Sequence, residues 1–175
     1  IENGEDGTGV DVGDEVELRG TTLIVNITAP LGSGNNLRGM NLLGASIHDA
    51  SLFAIVRVAQ AGGVTTRGIY IESDNLTNTA VSATIDVAGS PAYGVDCFGQ
   101  DLLENVTIVV DVRGSTLTQG LVGARFRNTA SNAIIARNVS VLATARGAHI
   151  GVQLEVRVDE QTGLVIYSTM QQCSK

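Results

Sequence analysis

The chain has 175 residues, 43% of them hydrophobic, and it carries 21 glycines but only two prolines, three Phe, three Tyr and no Trp. Eleven Lys and Arg against 18 Asp and Glu give a net charge of −7. Because the basic residues are dispersed and no stretch approaches the length of apolar sequence that a membrane span needs, we expect neither nucleic-acid binding nor a transmembrane helix.

The N-terminal region is acidic and rich in glycine. We predict that residues 1–17 form a lead-in to the fold or part of a cap. Since the first residue is Ile1 rather than Met, we expect a processed form or an excised piece of a longer chain. The first alternating stretch, residues 22–27, predicts a strand in what would be the first coil of the fold.

A degenerate repeat of roughly 28 residues dominates the rest of the chain. Five glycines open similar segments, at spacings of 29, 26, 29 and 28 residues: Gly39, Gly68, Gly94, Gly123 and Gly151. The residues one and three positions after each glycine are apolar and the one between them is mostly polar, which is typical of a half-buried strand. We predict two inward columns, Met40-Ile69-Val95-Ala124-Val152 and Leu42-Ile71-Cys97-Phe126-Leu154.

A second strand follows in each repeat after a polar bend, most clearly at residues 78–87, 105–112 and 138–145. Asn105 and Asn138 occupy the same repeat position and begin glycosylation sequons. We interpret them as structural turn residues, because Asn tolerates left-handed backbone and can hydrogen-bond the bend of a neighbouring coil.

One repeat is too small to bury its own apolar face, so the repeats must stack. We therefore predict an all-β fold, a single-stranded right-handed parallel β-helix of about six coils. The coils would occupy residues 18–158, and residues 159–175 would form a last strand and a C-terminal tail. No segment has a clean helical pattern, which excludes a doubly wound α/β fold.

The repeat resembles the right-handed parallel β-helix group, the pectate-lyase-like superfamily, over about residues 37–158. The resemblance rests on the Gly-apolar-x-apolar first strands and on the second strands Asn-Val-Thr-Ile, from Asn105, and Asn-Val-Ser-Val, from Asn138. It implies the fold, and a polysaccharide-binding or polysaccharide-cleaving face on one sheet. Polysaccharide lyases, polygalacturonases, pectin methylesterases, phage tailspikes and adhesins share this fold, so the resemblance leaves the function open.

The outward face of the first strands is the candidate site. If the chain has a ligand, we expect it to lie across eight residues on four successive coils: Tyr70, Glu72, Asp96, Phe98, Arg125, Arg127, Gln153 and Glu155. Exposed rings would stack on sugars, and the polar groups would bond their hydroxyls. The leading hypothesis is a secreted, cell-surface or virion module that binds a polysaccharide or another protein. The alternatives are solvated ion pairs on a purely structural spacer or fibre fragment, and a carbohydrate-active enzyme.

The enzyme hypothesis centres on Asp96. The stretch Gly94-Val-Asp-Cys-Phe-Gly99 is similar to the Gly-x-Val-Asp-Phe-Ile-Phe-Gly stretch of pectin methylesterases, which implies a nucleophilic role for Asp96 with Arg125 beside it. We find no complete set of catalytic carboxylates for a lyase, hydrolase or esterase, so the sequence favours binding over catalysis.

No cofactor or metal is expected. Asp86 and Asp111 are predicted to align on adjacent coils, but one carboxylate pair is too few for a Ca²⁺ site, and no His and Cys cluster has zinc spacing. We expect Cys97 to be a core residue. A bridge from Cys97 to Cys173 would require the tail to fold back into the core, although two cysteines alone do not fix the redox state.

Overall fold

The structure is a computed structural model. It describes residues 7–13, 16–29, 36–44, 46–59, 65–88, 91–114, 120–128, 133–146, 150–155 and 157–171, with the side chains of residues 157–160, 170 and 171 left out. The predicted tail beyond residue 171, which contains Cys173, and residues 1–6 of the predicted lead-in lie outside this described part.

The described residues form strands and no helix, and therefore no helix long and apolar enough to cross a membrane. In chain order the strands are β1 (Gly7–Val12), β2 (Glu17–Arg19), β3 (Thr22–Ala29), β4 (Asn36–Leu43), β5 (Ser46–His48), β6 (Ser51–Val58), β7 (Thr65–Glu72), β8 (Asn75–Thr77), β9 (Ala80–Val87), β10 (Ala92–Phe98), β11 (Leu102–Gly114), β12 (Leu121–Arg127), β13 (Ala133–Arg146), β14 (Ile150–Glu155), β15 (Arg157–Thr162) and β16 (Val165–Gln171).

Two parallel sheets enclose the core. Sheet A contains the first strand of each repeat in the order β1-β4-β7-β10-β12-β14. Sheet B contains the short strands β2, β5 and β8 and the longer strands β3, β6 and β9. The long strands β11 and β13 combine both kinds: β11 pairs with β8 through its first part and with β9 through its second, and β13 pairs with β15 and β16 in the same way.

Every strand pairs with its counterpart one repeat away, which makes the molecule an all-β parallel β-solenoid. It has about four turns, matching the four strands of sheet A that have neighbours on both sides. The right hand of the coil and the number of about six coils stay predictions. Strand β1 lies inside the segment expected to be a lead-in or cap and pairs with β4, so its described part extends sheet A by one edge strand. A capping role for that segment also stays a prediction.

The repeat glycines are explained by the approach of neighbouring coils. A Cβ on Gly68 would lie 2.5 Å from the carbonyl oxygen of Gly94, and a Cβ on Gly94 would lie 2.6 Å from that of Gly123. Such distances are far below van der Waals contact, so only glycine lets the backbones stack here. The same relation continues along the whole glycine column, which consists of Gly9, Gly39, Gly68, Gly94, Gly123 and Gly151.

Both predicted inward columns are in register between adjacent strands of sheet A. Their members are buried from β4 to β12, including Cys97, which is completely buried. In β14 the burial fails: Val152 is half-buried and Leu154 is exposed. The reason is that β14 is an edge strand of sheet A. Among the described residues, no further strand of that sheet stacks on it, so its inward side chains have a neighbouring coil on one side only.

The bend between the short and long strands of sheet B is held by a ladder of left-handed residues. Asp49, Asn78, Asn105 and Asn138 have φ angles between 48° and 54°. The side-chain amide of Asn105 donates to Asn78 Oδ1 at 2.9 Å, and that of Asn138 donates to Asn105 Oδ1 at 2.8 Å. The structural interpretation of Asn105 and Asn138 is confirmed, since each turns the chain and bonds the neighbouring coil.

Replacing Asn105 by alanine should therefore cost about 2 kcal/mol of unfolding free energy. Alanine would pay roughly 1–2 kcal/mol for the left-handed backbone and lose about 1 kcal/mol of hydrogen bonding in the ladder. Asn105→Gly should cost less, because glycine adopts positive φ without strain. Urea unfolding of the two variants beside the wild type measures this order. An alanine variant as stable as the wild type would mean that the ladder is not formed.

Candidate functional site

Strand register places all eight predicted site residues on neighbouring strands of sheet A. Tyr70 pairs with Asp96, Asp96 with Arg125, and Arg125 with Gln153. Two positions along, a second column has Glu72 beside Phe98, then Arg127 and Glu155. The predicted geometry of two parallel outward columns is thus present, while its role in binding stays a prediction.

The centre of this face is a single carboxylate held by three guanidinium groups. Arg125 donates from Nε to Asp96 Oδ1 at 3.0 Å and from Nη2 to Oδ2 at 2.6 Å. Arg127 repeats this two-pronged contact with both distances at 3.1 Å. Arg67 adds a bond from Nε to Oδ2, also at 3.1 Å. The Asp96 side chain is completely buried, and the three arginine side chains are between 12% and 26% exposed. We call these four residues the arginine cluster.

Arg67 was not among the predicted site residues. It lies directly before Gly68, where the strand changes phase: a Cβ on Gly68 would point inward, toward Ala83 Cβ, and the next residue, Ile69, is inward as well. The residue before each repeat glycine therefore faces outward, although simple alternation from Ile69 would not place it there. The signal was present in the sequence, because arginine precedes two successive repeat glycines, at Arg38 and Arg67.

Arginines and tyrosines alternate in a stack across the strands of sheet A. Arg38 lies 5.4 Å from the ring centre of Tyr70, and Arg67 lies 5.6 Å from the same ring. Arg67 is also 5.7 Å from the ring of Tyr93, which Arg125 approaches to 3.8 Å. These separations are typical of cation–π contacts. These contacts orient the planes of the guanidinium groups.

The stack corrects one expectation about the aromatic residues. Tyr70 and Phe98 were expected to be exposed and to offer their ring faces to sugars. Both are only partly accessible, and each ring has a guanidinium group beside it, that of Arg127 lying 5.0 Å from the Phe98 ring centre. The two rings therefore pack against arginine side chains and do not stand free on this face.

The electrostatics of the cluster follow from burial and pairing. Burial alone would raise the pKa of Asp96, but hydrogen bonds from Arg125 and Arg127 outweigh it and hold that pKa below its ordinary value. Burial likewise disfavours the charged form of Arg125, yet its bond to Asp96 leaves the arginine pKa raised. Asp96 and Arg125 are therefore both charged at neutral pH.

Tyr70 and Glu72 form a separate pair beside the cluster. Burial, together with the hydrogen bond to Glu72, raises the pKa of Tyr70 to about 12. The phenol therefore stays protonated and donates to Glu72 Oε2 at 2.8 Å. At the other edge, the side-chain amide of Gln153 donates to Glu155. Glu72 and Glu155 each accept a hydrogen bond from a polar neighbour. The arginine cluster, with three guanidinium groups around one carboxylate, lies between these two glutamates.

Two other candidates from the sequence were the carboxylate pair Asp86 and Asp111 and the thiol of Cys97. Asp86 and Asp111 do not align: Asp86 pairs with Arg113, and Asp111 pairs with Thr84. The two carboxylates are therefore not stacked on each other. Asp111 Oδ2 instead accepts a hydrogen bond from Arg113 Nη2 at 2.5 Å. Within the described part of the chain, no group of three or more His, Cys, Asp and Glu could hold a metal ion. Burial raises the pKa of the Cys97 thiol, which makes it a poor nucleophile.

Comparisons of the chain with family models, with curated protein sequences and with solved structures found no match.

Proposed function

We propose that this chain is a binding module whose ligand is a glycan bearing acidic groups, held across the outward face of sheet A. The observation that carries the proposal is the arginine cluster. One buried carboxylate orients three guanidinium groups, and each arginine gives Asp96 hydrogen bonds from at most two of its nitrogens. Arg67 Nη1 also donates to Asn36 Oδ1 at 3.4 Å. Arg125 and Arg127 each have N–H donors beyond the two given to Asp96, and a planar guanidinium matches a carboxylate or sulfate with two parallel bonds.

The dimensions of the face suit a short stretch of polysaccharide. From β7 to β14 there are three inter-strand steps of about 4.8 Å, which give a footprint of about 15 Å. That length spans two or three sugar rings. The acidic group would lie over the cluster, and Glu72, Gln153 and Glu155 would exchange hydrogen bonds with hydroxyls at the edges of the face.

The rival hypothesis, a carbohydrate-active enzyme, has less support at Asp96. A nucleophilic carboxylate needs a free oxygen and an approach for the substrate. Both Asp96 oxygens already accept hydrogen bonds from arginine, and the side chain has no exposed surface. A low pKa suits a fixed anion that organises cations better than it suits a general acid.

The proposal extends to the superfamily of the chain, the hand of its coil and its location. The coiled repeat supports membership of the pectate-lyase-like superfamily and a right-handed coil. Exposure to extracellular polysaccharide would fit a secreted, cell-surface or virion location. A protein partner with an acidic surface is the competing ligand, and the experiment below separates it from a glycan.

Arg127→Gln should weaken binding of a uronate-containing oligosaccharide by roughly tenfold or more, since a charge-assisted hydrogen bond contributes about 1.5–3 kcal/mol. Arg127 is the most exposed arginine of the cluster, and its loss leaves Asp96 paired with Arg67 and Arg125. A glycan array identifies the best acidic ligand, and calorimetry compares it with a neutral oligosaccharide of equal length.

The matched control is Arg113→Gln, which removes an exposed arginine from sheet B and should leave affinity unchanged. Wild-type protein that binds no acidic glycan, or that binds acidic and neutral chains equally, would overturn the proposal. Turnover of any polysaccharide that is abolished in Asp96→Asn would establish the enzyme instead.

A further inference from the structure

Arg38 extends the charged face of sheet A by one strand. It lies on β4 directly before Gly39 and pairs in register with Arg67 on β7. Because the residue before each repeat glycine faces outward, Arg38 is on the same side of the sheet as the arginine cluster. None of the eight predicted site residues lies on β4, so the footprint from β7 to β14 does not include Arg38.

Arg38 differs from the cluster arginines because it has no carboxylate partner. Within the described part of the chain it forms no ion pair, and its hydrogen bond runs from Nη1 to Asn41 Oδ1 at 3.0 Å. Its buried Nε has no acceptor, and Nη2 donates to none of the described residues. Asp11, on the adjacent strand, accepts the side-chain amide of Asn41 at 2.7 Å instead. A partly buried cation without a counter-ion is costly unless an anion meets it, and the partly accessible side chain lets a ligand approach.

Neighbouring side chains hold the Arg38 guanidinium group in place. It lies 5.4 Å from the ring centre of Tyr70, and Arg67 lies 5.6 Å from the same ring. Asn41, which accepts from Nη1, is itself buried and bonded to Asp11. Arg38 is therefore oriented by its surroundings like the cluster arginines, and it loses less conformational entropy on binding than a freely rotating arginine would lose.

We propose that Arg38 is a second anion-binding position, which receives a second acidic group of the glycan held on sheet A. This inference rests on the proposed function, because it assigns a further group of the same ligand. The first acidic group lies over Arg125 and Arg127, which have N–H donors beyond those given to Asp96. Arg38 offers the N–H donors of Nη2 to the second group as charge-assisted hydrogen bonds.

The order of the strands sets the spacing of the two acidic groups. From β4 to β12 there are three inter-strand steps of about 4.8 Å, which place Arg38 about 14 Å from Arg125 and Arg127 along the sheet. That distance corresponds to about three sugar rings, so the two acidic groups belong to sugars three positions apart in the chain. The ligand is therefore an acidic oligosaccharide of at least about four sugars that lies across the strands.

The test is calorimetry of the whole chain with uronate oligosaccharides of two, three, four and five sugars. Wild-type affinity should rise by roughly tenfold between three and four sugars, because the fourth sugar brings an acidic group to Arg38. Arg38→Gln should bind two and three sugars like the wild type and lose this step. Arg38→Lys keeps the charge but not the planar pair of donors, so it should retain only part of the step.

The matched control is Arg57→Gln. Arg57 Nη1 also donates to an asparagine oxygen, that of Asn26 at 3.3 Å, but it lies on sheet B, so binding at every length should match the wild type. Circular dichroism melting verifies that the variants are folded. The length series of the wild type tests the proposal even if an Arg38 variant does not fold.

Wild-type affinity that is the same for three and four sugars would overturn the second position and leave the proposed function intact. An Arg38→Gln variant that keeps the full step would have the same meaning. Wild-type protein that binds no uronate oligosaccharide of any length would overturn both proposals. The two failures are distinguishable, because the second is already visible with the shortest ligands.

Discussion

Gly94→Ala is expected to destabilise the protein by about 3 kcal/mol or more, a large loss against the roughly 5–15 kcal/mol by which typical domains are stable. The added Cβ would lie 2.6 Å from the carbonyl oxygen of Gly123 and would overlap the side chain of Val110. Neither group can move away freely, since Gly123 belongs to the next coil and Val110 is buried in the core. Relief would require the two coils to separate.

The matched control is Gly13→Ala, because a Cβ at Gly13 would meet nothing within 4 Å. It should be neutral, or slightly stabilising through the lower entropy of the unfolded chain. Chemical denaturation of both variants measures the difference. If Gly94→Ala unfolded at the wild-type denaturant concentration, the coils could not be stacked on the glycine column.

Asp96→Ala is expected to cost about 3–5 kcal/mol of unfolding free energy, because it leaves three largely buried guanidinium groups without their common carboxylate. Asp101→Ala, at an exposed bend, should change the free energy by about 0.5 kcal/mol or less. Equal stability of the two variants would mean that the cluster does not hold sheet A together.

The pH dependence of this effect has a definite sign. The pKa of Asp96 is lower in the folded protein than its ordinary value of 3.8, so folding favours the ionised carboxylate. The stabilisation is therefore fully present above about pH 4 and is lost as the pH falls through the folded pKa. The difference in stability between wild type and Asp96→Asn should shrink across that acidic range and stay constant between pH 5 and 7.

Much of the architecture could be predicted because each repeat has a strand with period two. Alternation after Gly68 and Gly94 was enough to place Ile69 and Val95 inside, and the aligned asparagines predicted the left-handed bend. The same alternation could not foresee that Leu154 is exposed, because burial at the end of a stack depends on the covering coil rather than on the strand itself.

The geometry of the outward face of sheet A was predicted in part, and its role as a site stays a prediction. The two outward columns follow from the position of each glycine, but Arg67 lies on the other side of the phase change at Gly68. The predicted alignment of Asp86 with Asp111 was wrong because the two residues lie at different distances from the bend. Asp86 is eight residues after Asn78 and Asp111 is six after Asn105, and these stacked asparagines set the register.

Contacts between side chains were the least predictable level. The columns indicated that Asp96 would lie beside Arg125, which alone would be a solvated pair of little energetic value. Convergence of Arg67 and Arg127 on the same carboxylate depends on side-chain direction, which a sequence pattern does not specify. That convergence makes Asp96 the common partner of three arginines, and the role of the face stays a proposal.

The central claim, that the arginine cluster receives the acidic group of a glycan, is tested most directly by nuclear magnetic resonance of the arginine Nε–H groups during titration with a uronate oligosaccharide. We predict saturable shifts for Arg67, Arg125 and Arg127, which share Asp96. Arg57 and Arg113 on sheet B should not shift. Saturable shifts confined to sheet B, or none at ligand concentrations that saturate binding, would contradict it.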